Sequence, residues 1–356
     1  MPPGPSAAQL AHGHWVKMAA PPIRLCRPAA FWDGRALVVV ETSGVPCHAA
    51  AAAYDPVANR WEEVAAPPPA VGLKPLAASG GGELVLASPR TGYTTAWTPA
   101  ARRWVRLPQL PATDVISMSW TGRMFLVIAS REGKTTGLAW GLANGHWQPL
   151  PSLPPVWHGW YTEAPAAPLG GSVFILAHEF HGRLQAHNIS GSSRLLRLTG
   201  SRWTVVPLPL RTSLGTALFL TALDGRLLST GMSCPSFCME AIGQAAIIRP
   251  AARTHAALLS PPGSLYLPFP QGIAAGPQAV VVTYSVGGNT LYGGDHPRVV
   301  EIYDPAAGQW LAGPNAPATP LNRAAYWTPY GVVSLGQGEA LGQGGGWLLR
   351  PAHRTA

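Results

Sequence analysis

Charge is scarce in this chain. Asp, Glu, Lys and Arg make up only 12% of 356 residues, too few to solvate long helices with salt-bridged faces. No apolar stretch of helical length carries a 3.6-residue period, and no run reaches the roughly 18 apolar residues needed to span a bilayer. The first ten residues lack the basic and apolar regions of a signal peptide, so the expected setting is the cytoplasm, with export left open. Four cysteines do not make a disulfide scaffold. Tryptophan, glycine and proline are abundant instead, with 14, 40 and 38 copies in a chain that is 47% apolar. That combination describes many short buried strands divided by tight turns, hence an all-β class.

The formal charge of +9 suits an acidic partner. Arginines greatly outnumber lysines, but they are scattered singly apart from Arg102-Arg103. No basic stripe with interleaved aromatics forms, so the pattern argues against a nucleic-acid binder.

An octet recurs along the chain. Tyr54-Asp55-Pro56-Val57-Ala58-Asn59-Arg60-Trp61 returns as Tyr303-Asp304-Pro305-Ala306-Ala307-Gly308-Gln309-Trp310. Between them lie Trp97 to Trp104, Trp140 to Trp147, a shortened copy ending at Trp203 and a degenerate one ending at His255. Proline with Asp, Asn or Gly sets a turn between two strands, and the Trp opens the second strand. Two further β-like runs precede each copy, so the unit is four strands, a to d. Trp15 supplies a seventh anchor, and spacings of roughly 43 to 56 residues fit one propeller blade each.

Trp15 belongs to a d strand with no a, b or c strand before it. At the other end, 323–328, 331–335 and 347–349 read as a, b and c strands with no d strand after them. The N-terminal strand, 13–18, is therefore expected to complete the last blade and close the ring. The expectation is one seven-bladed β-propeller domain over 1–356, with blades near 27–65, 74–108, 114–151, 158–207, 212–259, 271–313 and 323–356.

These octets resemble the Kelch repeat family. The resemblance is carried by the c–d half of the unit and departs in the b strand, where only Gly287-Gly288 keeps the usual Gly pair. It implies a site on the face where the d–a and b–c loops emerge around the channel mouth. There the candidate ligand-binding residues are Arg27, Lys74, Asp114, His158, Arg211, Asp295, His296 and Arg323. The basic members would attract a carboxylate or phosphate, or the face would dock a protein or peptide; a monomer is expected.

A soft-ligand set sits on the same predicted face. Met232-Ser233-Cys234-Pro235-Ser236-Phe237-Cys238-Met239 offers thiols and thioethers suited to copper or zinc. Cys47, His48, His178 and His181 would join Cys234 and Cys238 in a composite site for copper, zinc or iron, one that a metal-dependent enzyme at the channel mouth would use. A Cys234–Cys238 disulfide or plain apolar packing are the other readings. His178 and His181 are three apart, not the four of the helical zincin motif. Cys26 and Cys47 flank one blade and either pair as a disulfide or remain thiols.

The resemblance also admits enzymes at the channel mouth. Copper radical oxidases need a Tyr-His pair, and the chain has none. Iron-dependent specifier proteins use Glu-x3-Asp-x3-His, which is also missing. A metal-free epimerase would draw on Arg and carboxylate groups such as Arg27, Glu132, Glu179, Arg211 and Arg323.

Overall fold

The computed structural model describes residues 4–26, 28–42, 47–130, 134, 136–155, 159–181, 191–207, 216–233, 242–258, 269–285, 298–315, 322–336 and 345–352. Seven antiparallel sheets form the seven blades of a β-propeller. Blade one runs Ala29–Trp32, Leu37–Glu41, Ala50–Asp55, Arg60–Val64 from strand a to strand d. Blade seven takes Asn322–Thr328, Gly331–Gly336 and Gly346–Arg350 from the C-terminal end and His14–Lys17 from the N-terminal end. Trp15 pairs with Leu349 in that closing ladder, as the surplus d strand required.

One row of residues crosses every blade at the same rank. It reads Trp61–Tyr54–Leu37–Trp32 in blade one and Trp15–Leu349–Val332–Trp327 in blade seven. In blade five the row is His255–Ile248–Leu227–Ala222. The c–d ladder registers the recurrent Trp against the residue that begins the octet in blades one, two and six, whereas in blade three Trp147 pairs with Leu142, two residues inside its octet. A one-residue slip would turn each buried set to the wrong face, so the row fixes register throughout.

The core lies between blades rather than within one. Among the described residues, buried apolar side chains fall into seven clusters, one for each seam. The closing seam joins Met18, Val333, Leu335 and Leu348 of blade seven to Leu37, Val39 and Tyr54 of blade one. Each such side chain contributes roughly 1.5–3 kcal/mol by leaving water.

Tryptophan indoles clasp the seams at their outer edge. Trp61 donates to the Ala19 carbonyl at 2.8 Å, Trp104 to Ala65 at 2.8 Å, and Trp147 to Pro108 at 2.8 Å. Trp203 donates to Pro151 at 2.8 Å and Trp15 to Pro314 at 3.0 Å. The acceptor is always the fourth residue past the anchor of the preceding blade. Pro fits these acceptor positions because its carbonyl is free to accept while it has no N–H to satisfy.

The sequence did not announce a helix, and among the described residues one short α-helix is present besides a 3-10 turn at Pro69–Val71. Ala7–Ala11 begins with a capping box in which Ser6 and Gln9 exchange hydrogen bonds. It packs Ala7 and Leu10 against the seam of blades six and seven. Among the described residues no helix is long and apolar enough to cross a membrane.

Candidate functional site

Strand a is the innermost strand of each blade, and its loop-face end is irregular in a repeated way. Pairing with strand b skips a residue at Ile116 in blade three, Leu218 in blade five, Gln271 in blade six and Arg323 in blade seven. All four lie four residues before the a-strand member of the cross-blade row. Blades one and two carry Pro28 and Pro75 at that rank, residues with no N–H to pair. Blade four skips at Thr162, and its a strand is split into Gly159–Glu163 and Ala166–Leu169 on the long strand Ser172–His181. Bulges at channel mouths end the ladder and re-aim the bulged residue. Arg323, a candidate ligand-binding residue for its charge, thus occupies a bulge.

Lys74 and Asp114 precede strand a of blades two and three, and both are exposed. Their backbones are left-handed, with φ of 52° and 58°, a conformation non-glycine residues rarely adopt. The turn around Lys74 is held by its N–H, which donates to the Thr42 carbonyl of blade one at 3.3 Å. The Asp114 carbonyl accepts from Ser130 N–H at 3.0 Å, tying the d–a loop to the b–c side of its own blade. Asp114 and Lys134 line one pocket of about 490 Å³ with Thr113 and Thr136. A carboxylate, an ammonium and two hydroxyls therefore share one concavity on the expected face.

On the same face of blade one, Cys26 and Cys47 form a disulfide, resolving the choice between disulfide and thiols. Both are buried. In this bond Cys47 offers no thiolate to a metal, so the composite set on Cys47, His48, His178, His181, Cys234 and Cys238 lacks that ligand while the bridge is intact. His48 is exposed nearby. His178 and His181 lie on the long b strand of blade four, registered with Glu163 and Gly159 of strand a. Among the described residues no group of three or more His, Cys, Asp or Glu could hold a metal ion. Arg27, His158, Arg211, Cys234, Cys238, Asp295 and His296 lie outside the described residues.

Sequence reasoning missed the buried polar knot beside the disulfide. Glu41 closes the apolar strand Leu37–Glu41 and is fully buried. Its Oε2 accepts from Cys26 N–H at 2.6 Å and its Oε1 from Thr42 N–H at 2.9 Å, as a buried carboxylate requires. Tyr326 of blade seven donates from its hydroxyl to the Pro28 carbonyl at 2.5 Å. Burial first, and the Glu41 charge second, push the Tyr326 phenol well above its ordinary pKa, so it stays protonated as a donor. The available signal was a lone acid ending an unbroken run of buried valines.

No protein-family model matches the chain, and no curated protein matches it. Solved structures do. A streptogramin B lyase structure is similar over 95% of this chain and 98% of its own, with a TM-score of 0.58 and 12% identity. The WD40 repeats of RRP9 match over 95% and 97% with a TM-score of 0.58 and 10% identity. A structure of U3-55K matches over 94% and 98%, with a TM-score of 0.56 and 9% identity. At such identities the likeness is one of fold, the seven-bladed propeller.

Proposed function

We propose that the chain is a Kelch-type propeller that binds a small anionic ligand on the loop face around its channel. The Kelch assignment is supported by the octets, which occupy c–d turns with the Trp opening strand d. The observation that carries the ligand is the pocket of about 490 Å³ in which Lys134 faces the same space as Asp114, Thr113 and Thr136. Its size suits a small metabolite. Lys134 would hold a carboxylate or phosphate, and Asp114 would accept from a hydroxyl or amine on the same molecule. Arg27, before blade one, and Arg323, in blade seven, would add positive charge elsewhere around the mouth.

The test is a calorimetric screen of hydroxy acids, amino acids and sugar phosphates against the full chain. A hit should weaken about tenfold or more in Lys134→Ala, the loss expected for one charge-assisted contact. It should weaken again in Arg27→Ala/Arg323→Ala. Failure of the whole screen would remove the small-anion reading and leave a protein or peptide as the partner of this face. A hit indifferent to all three substitutions would move the site off the loop face.

A further inference from the structure

The opposite end of the channel carries different chemistry. There the a–b turns converge, and a cavity of about 650 Å³ is walled by Trp32, Trp120, Tyr326 and Trp327. Its charged side chains are Asp33 and Glu83, both acidic, in a protein of formal charge +9. Asp33 Oδ1 accepts the Arg35 and Ala36 N–H groups at 2.8 and 2.7 Å, and the Arg102 guanidinium feels its charge. Glu83 makes no ion pair among the described residues, so it supplies the less compensated negative charge.

The aromatic wall is held in place by missing side chains. Trp120 lies so close to Gly80 of the preceding blade that a Cβ there would sit 2.0 Å from its Cγ. Trp327 lies likewise against Gly276, where a Cβ would meet its ring at 1.9 Å. Trp32 is braced edge-on by Tyr330, with ring centroids 5.9 Å apart. Rings fixed by such contacts cannot fold away; Trp327 is buried beneath the wall, and the half-buried Trp32 and Trp120 present the preorganised surface.

We propose that this turn-face cup binds an organic ammonium ion. Aromatic walls attract a cation through the ring quadrupole, tryptophan most strongly, and a carboxylate at the rim adds the opposite charge. An anion would meet Asp33 and Glu83 without a cation in the wall, and a plain hydrocarbon would leave both carboxylates unused.

The probe is choline, titrated into the full chain by calorimetry beside its neutral isostere 3,3-dimethylbutan-1-ol. Choline should bind saturably and the alcohol about tenfold more weakly, the ratio set by a desolvated cation–π contact. Glu83→Gln and Trp120→Leu should each lower choline affinity by about tenfold as well, and Lys134→Ala should leave it unchanged. Glu83→Gln replaces a rim residue outside the packed wall, so it remains informative if Trp120→Leu does not fold. No saturable choline binding, equal affinity for the alcohol, an unaffected Glu83→Gln variant or a loss in Lys134→Ala would each overturn the assignment.

Discussion

The seam that closes the ring and the seams around blade five are built from the same repeat, yet they are fastened differently. At the closing seam, Asn59 of blade one accepts the Ala19 N–H at 2.9 Å and donates to the Lys17 carbonyl at 3.3 Å. Trp61 clasps the Ala19 carbonyl, Arg350 donates to the Pro56 carbonyl at 2.8 Å, and Tyr326 reaches Pro28. The linker that crosses this seam is also bridged by Cys26–Cys47. At blade five the anchor is His255 rather than Trp. The following anchor, Trp310, has a buried indole N–H with no acceptor among the described residues; its acceptor by rank, Leu259, lies outside them. A closed ring is only as secure as the seam where the two chain ends meet, and among the described residues that seam carries this whole set of side-chain fastenings.

The largest expected effect comes from breaking the strong side. Cys26→Ser/Cys47→Ser should lower unfolding free energy by about 3 kcal/mol, the usual worth of a bridge closing a loop of this length. Urea titrations with and without reductant check it: reductant should destabilise the parent protein by about 3 kcal/mol more than the double variant, which keeps only Cys234 and Cys238. A parent indifferent to reductant under unfolding conditions would show that the bridge does not secure this seam.

Next in size, Asn59→Ala removes the one Oδ1 that accepts from both Ala19 N–H and the Tyr54 hydroxyl at a backbone φ of 49°. A loss of about 2 kcal/mol is expected for two hydrogen bonds plus a left-handed alanine. Asn59→Gly restores the backbone but not the clasp, so it should recover only part of the loss. Full recovery would assign the residue to the turn alone.

The smallest effect comes from adding a clasp at blade five. His255→Trp places an indole at the one anchor rank that lacks it, one blade after the Pro207 carbonyl that stands fourth past Trp203. A gain of about 1 kcal/mol is expected if the clasp forms, read as a raised thermal midpoint at unchanged denaturant slope. A fall in stability would show that blade five cannot accommodate the ring and that the difference between seams is one of packing.

The legible parts of this molecule are those the repeat writes more than once. The octet gave the c–d turn its location, and the unmatched Trp15 strand implied closure before any ladder was seen. Arg323 could be placed near the channel mouth, but its bulge could not be read, because a skipped pair depends on the register of strand b and leaves no mark in strand a. The charges of Lys74 and Asp114 are plain in the sequence, but their left-handed backbones are not, because residue identity does not encode φ. The partners of Glu41 cannot be read from residue types, because Cys26 N–H and Thr42 N–H are main-chain groups.

What the sequence determined by itself is the count and the closure, since period, anchor spacing and unequal ends are one-dimensional facts. What only the tertiary structure decided is which groups meet across the ring. Tyr326 and Pro28 are separated by 298 positions, and Trp120 finds its place only because a neighbouring blade has Gly80. Such contacts depend on the angle between adjacent blades, and that angle follows from how seven interfaces pack together rather than from any one repeat.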